Sequence, residues 1–145
     1  MFKPTALALS LAAGAALLSA PALSEDGGRK FDTTLTGAAE IPGPGDTDGD
    51  GSAGLTINPG QGQICYTLSV SDIDPATMAH IHKAKVGVAG PVVVSLKAPT
   101  NGSSKACATV GRPLALDILK SPANYYVNVH NEPFPDGAIR GQLAK

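Results

Sequence analysis

The sequence predicts an all-β protein, an antiparallel two-sheet sandwich of about eight strands with one short helix. Short runs alternate apolar and polar residues with a period of two, as strands with one buried and one wet face do. Gly- and Pro-rich breaks separate these runs at fairly regular spacing, the pattern of a sandwich or barrel. The composition agrees, with 17 Gly and 12 Pro among 145 residues. Charged residues are 16% of the chain, below the usual quarter or so.

The chain opens on what reads as an export signal, residues 1–24. Lys3 supplies the positive start, an uncharged stretch runs from Ala6 to Leu18, and the small residues Ala20, Ala22 and Ser24 offer cleavage after Ala22 or Ser24. The apolar run is shorter than the roughly 20 residues a membrane span needs. No later segment is long enough either, so the mature chain, 25–145, is expected to be one exported domain, secreted or periplasmic, without a membrane span. Strands are predicted at 30–36, 53–57, 63–71, 78–86, 91–96, 105–110, 125–130 and 138–143. Residues 113–120 place Leu114, Ile118 and Leu119 on one helical side, with Pro113 at the start and Ser121-Pro122 past the end, which predicts a two-turn helix.

Facing follows from the alternation. Ile64, Tyr66, Leu68 and Val70 share one side of their strand, and Cys65, Thr67 and Ser69 the other. Tyr125, Val127 and Val129 form an apolar set opposite Tyr126, Asn128 and His130, while Ile139 and Leu143 oppose Arg140 and Gln142. Cys65 and Cys107 are an even pair in an oxidising compartment, which predicts one disulfide. Their spacing lacks the CxxC pattern of a metal site.

Eleven basic and twelve acidic residues give a net charge of −1, which excludes the basic patch of a nucleic-acid binder. The three histidines of the chain lie in two predicted strands: His80 and His82 form an H-x-H, and His130 ends a second strand. All three are expected on the side opposite the aliphatic residues. If the strands are neighbours, three imidazoles can converge on zinc or copper with an open fourth position. Histidines on a wet face more often make ordinary polar contacts, and Lys83 and Lys85 further along the strand would discourage a cation. Asp46, Asp48 and Asp50, followed by Gly51, resemble the first half of a calcium loop, although Ile57 stands where an EF-hand needs Glu. No nucleophile elbow and no free cysteine suggest a covalent catalyst.

Five blocks in order then carry a resemblance: Leu35-Thr-Gly-Ala-Ala-Glu-Ile-Pro42, Cys65-Tyr-Thr-Leu-Ser-Val70, Met78-Ala-His-Ile-His82 with Gly90-Pro-Val-Val-Val94, Tyr125-Tyr-Val-Asn-Val-His-Asn131, and Gly137-Ala-Ile-Arg-Gly-Gln-Leu143. From Phe31 to Leu143 the chain resembles the CHRD (chordin-type) domain of animal chordins and of many exported bacterial proteins. The resemblance implies an immunoglobulin-like β sandwich or barrel and little about activity. Its blocks map onto His80, His82 and His130, onto Glu40, and onto a polar face of Asn128, Arg140 and Gln142, with a Glu40–Arg140 contact as a structural expectation. The expected function is a binding module for an unknown protein or small ligand, with copper or zinc as candidate cofactor. The alternative is a copper-dependent redox enzyme, by fold-level analogy with the H-x-H strand of superoxide dismutase sandwiches.

Overall fold

Wherever the sequence alternates with a period of two, the chain forms a strand. The computed structural model describes residues 27–144; the expected export signal lies outside them. The strands are β1 (Arg29–Thr36), β2 (Asp50–Asn58), β3 (Gln63–Ser71), β4 (Met78–Lys83), β5 (Val92–Leu96), β6 (Ser103–Thr109), β7 (Tyr125–His130) and β8 (Ile139–Gln142), with helix α1 (Arg112–Lys120) between β6 and β7. Two differences from expectation matter. The predicted strand 78–86 stops at Lys83, so Lys85 belongs to the loop that follows, and the predicted 53–57 strand begins earlier, at Asp50.

All pairings are antiparallel, and the order across the sheet is β5-β4-β7-β8-β1-β2-β3-β6. The sheet rolls into a nearly closed barrel or sandwich. Its two halves meet at a narrow seam, because β1 and β8 share only the Thr36–Arg140 pair, whereas β2 and β3 pair along their whole length. Side chains stitch the two ends of the roll together: Tyr66, on β3, accepts from the Lys97 N–H just past β5 (2.7 Å), and Ser104, on β6, donates to the Lys97 carbonyl (2.7 Å).

The inward faces are the predicted ones. Leu35, Leu55, Ile57, Ile64, Leu68, Ile81, Val127, Val129 and Ile139 are almost wholly buried in one core, each contributing roughly 1.5–3 kcal/mol of transfer free energy. Pro113 sits in the first turn of α1, where the lost N–H costs nothing. Ala115 and Ile118 face the core, and Leu114 and Leu119 pack at its edge. Lys83 Nζ meets Asp117 of the helix at 2.6 Å, and the hydroxyl of Tyr125 donates to the same carboxylate. This pins α1 onto the end of β4 and β7.

Cys65 and Cys107 form the predicted disulfide, spanning 42 residues. The two are direct partners in the β3–β6 register, so the bond fastens β6, one of the two strands that end the sheet order.

Candidate metal centre

Strands β4 and β7 are neighbours, and their register sets Met78 opposite His130, His80 opposite Asn128 and His82 opposite Tyr126. Ala79 and Ile81 of β4, and Val127 and Val129 of β7, take the core side. The alternation therefore sends His80, His82 and His130 to the other side, where the sequence expects them. Each ring offers a nitrogen within 4.8 Å of the others. His80 Nδ1 and His130 Nε2 are 3.1 Å apart, and the ring centres of His80 lie 5.0 Å from His130 and 5.5 Å from His82. Three nitrogens around a tetrahedral ion at bond lengths of about 2.0–2.1 Å stand roughly 3.3 Å apart. One pair already has that spacing, and small side-chain rotations bring in the third. The three residues could share an ion.

The remaining ring nitrogens are held by the main chain. His130 Nδ1 donates to the Pro135 carbonyl (2.9 Å) and His82 Nδ1 to the Gly90 carbonyl (2.8 Å). Donation from Nδ1 leaves Nε2 of His130 with its lone pair, the form in which histidine binds metal. His82 Nε2 instead meets the Asn128 amide oxygen, itself an acceptor, at 3.1 Å, so His82 reaches an ion only by turning this nitrogen away from Asn128. Burial, and then the neighbouring rings His130 and His82, hold His80 below the ordinary histidine range. Burial also lowers His130, reinforced by His82 and opposed by the Pro135 carbonyl and Asp136. Both shifts favour the neutral ring, the form that metal ligation requires.

This face is not the wet surface that alternation implies. Asn128 and Arg140 are 2% exposed and His130 6%. Three connecting segments cover them. Residues 37–49 bring Glu40, whose carboxylate accepts from Asn128 Nδ2 (3.0 Å). Residues 84–91 bring main-chain acceptors: Gly90 for His82, Lys85 for Arg140 Nη2 (3.1 Å) and Ala84 for Gln142 (2.8 Å). Residues 131–138 bring the Pro135 carbonyl. Gly137 lets this last segment pass close by: its φ is +147°, and a Cβ there would collide with the Glu40 carboxylate and the Asn128 amide.

The expected Glu40–Arg140 contact does not form as an ion pair; among the described residues the only one is Lys83–Asp117. The Arg140 guanidinium instead lies over the Tyr126 ring, 3.4 Å from its centre, and Tyr126 stacks on His82 at 4.7 Å with planes 9° apart. Arg140 Nη1, buried in this layer, has no hydrogen-bond partner. Burial pushes the Glu40 carboxyl up to about 7, against the pull of the Asn128 N–H, the Arg140 charge and the Ile41 N–H. Lys83 is tied to Asp117, and Lys85 lies past the strand. In the acidic loop, Asp46 is half-buried and Asp48 and Asp50 are exposed. Burial and then Asp48 raise the Asp46 carboxyl. Among the described residues only the histidine trio gathers three donor atoms within 4.8 Å.

The family model of the CHRD domain matches residues 31–143. The chain belongs to the CHRD domain family. Comparison with curated proteins and with solved structures returned no match. Among the described residues no helix is long and apolar enough to cross a membrane.

Proposed function

We propose that this protein is an exported binding module whose site holds one transition-metal ion through His80, His82 and His130. The observation that carries the reading is the convergence of three imidazole nitrogens within 4.8 Å, two of the rings being anchored from behind by main-chain carbonyls. Metal-binding histidines characteristically have that second bond, which fixes tautomer and ring orientation. Export rests on the N-terminal sequence pattern.

In the metal-free protein a single proton lies between His80 Nδ1 and His130 Nε2. Moving it to the far nitrogen of His80 frees both lone pairs for the ion. His80 is the least buried of the three, so the site opens to solvent on its side.

Metal analysis of the purified protein after loading with copper or zinc tests the reading. We expect about one equivalent in the wild type and its loss in His80→Ala and in His130→Ala. Equal content in all three proteins would remove the site.

A further inference from the structure

We propose that Met78 supplies a fourth, thioether ligand to this centre and that the centre therefore prefers cuprous copper to zinc. The inference rests on the histidine reading above and adds to it a ligand and a metal.

Met78-Ala79-His80-Ile81-His82 places a methionine and two histidines at every second position of β4. All three side chains leave the same face of the sheet. The β4–β7 register then sets Met78 directly opposite His130, and Cβ atoms of such a pair stand about 4.5–5.5 Å apart. Met78 is thus a neighbour of the trio in two directions, along its own strand and across to the next.

Its environment differs from that of the rings. Met78 is 46% exposed, whereas His82 and His130 are buried. Three rotatable bonds let its sulfur sweep over the His130 ring while the backbone stays fixed. The thioether is therefore a flexible donor at the solvent side of the three rings. It is also the only methionine among the described residues; the other in the chain is Met1.

The donor set chooses the metal. Thioether sulfur is a soft ligand that selects Cu(I), whereas zinc takes thiolate, imidazole and carboxylate. Three imidazoles and a thioether carry no charge, so a bound ion keeps its whole charge inside a partly desolvated site. Glu40 is separated from the rings by Asn128 and does not ligate, and the buried Arg140 guanidinium lies just beyond Tyr126. Burying a monocation there costs much less than burying a dication, because the desolvation penalty grows steeply with charge. Ligand softness and charge point the same way.

The test is a pair of competition titrations on the purified protein and its Met78→Leu variant. Cu(I) is titrated against bathocuproine disulfonate with ascorbate, which leaves the Cys65–Cys107 disulfide intact, and Zn(II) against a chromophoric chelator. Leucine matches methionine in volume at an exposed position, so thermal unfolding of the metal-free variant should coincide with that of the wild type. We expect Met78→Leu to weaken Cu(I) binding about ten-fold or more while leaving Zn(II) binding unchanged. Equal Cu(I) affinity in both proteins, or a parallel loss of Cu(I) and Zn(II), overturns the role of Met78 and leaves the histidine site standing. Uptake of neither metal by the wild type overturns the histidine reading itself, and this one with it.

Discussion

Glu40 is a carboxylate in a place that disfavours charge. It is 2% exposed, and burial raises its pKa from 4.5 to about 7 in the folded chain. A folded-state value above the unfolded one means that the fold favours the protonated form. The resulting stability is fully present below pH 4.5 and is lost as pH rises towards 7. At about 1.4 kcal/mol per unit, the loss is roughly 3 kcal/mol. Glu40→Gln keeps an acceptor for Asn128 and cannot ionise. Urea titrations between pH 4 and 8 should show the wild type losing roughly 3 kcal/mol relative to Glu40→Gln over that range. A gap that does not change with pH would contradict the assignment. His80 and His130 act in the opposite sense, because depressed histidine values favour the fold as pH rises, so the difference between the two proteins is the informative quantity.

At the scale of the element, β4 serves two layers at once. Its odd-numbered residues Ala79 and Ile81 fill the core, while His80 and His82 furnish the centre. Ile81, 0% exposed between the two histidines, fixes the height at which both rings leave the sheet. Ile81→Ala should cost about 2–5 kcal/mol through the transfer and cavity terms, read as a lower urea midpoint. Folded Ile81→Ala should still take up metal, more weakly, because the ligands survive while their support loosens. Unimpaired stability would mean that β4 is not held by its core side. The alternation fixing these directions is local to the strand and was legible in Ala79-His80-Ile81-His82 and in Tyr125 to His130. The end of β4 at Lys83 was not, since Ala84 and Lys85 leave the sheet to give their carbonyls to Gln142 and Arg140.

For the whole molecule, the two halves of the sheet divide the work. The half formed by β5, β4, β7 and β8 carries the histidines, while the disulfide joins β3 to β6 in the other half. Closing a loop of 42 residues contributes about 4 kcal/mol by the chain-entropy relation, a model-dependent figure. Replacing both cysteines with alanine should therefore lower the urea midpoint by an amount corresponding to about 4 kcal/mol and leave metal uptake by the folded protein unchanged. Loss of the metal in that variant would show that the halves are coupled through the Thr36–Arg140 seam.

The residue pattern alone places the strands, apart from some of their ends, the side on which their residues emerge, the one α-helix and the Cys65–Cys107 pairing. Each is a consequence of alternation, turn residues or cysteine count, which are properties of short stretches or of the chain's inventory. That β4 and β7 lie side by side, so that three imidazoles meet, is a matter of long-range packing. It alone covered the polar face of Asn128, His130 and Arg140 with three loops. That cover is made by main-chain carbonyls of Gly90, Lys85 and Pro135 and by one distant carboxylate, Glu40. Backbone acceptors are the same in every residue, so nothing in the side-chain pattern announces where they will be used. The physical difference is one of range: direction along a strand is set by neighbours two residues away, whereas burial of the polar face also needs partners 55 and 88 residues distant in sequence, Lys85 for Arg140 and Glu40 for Asn128.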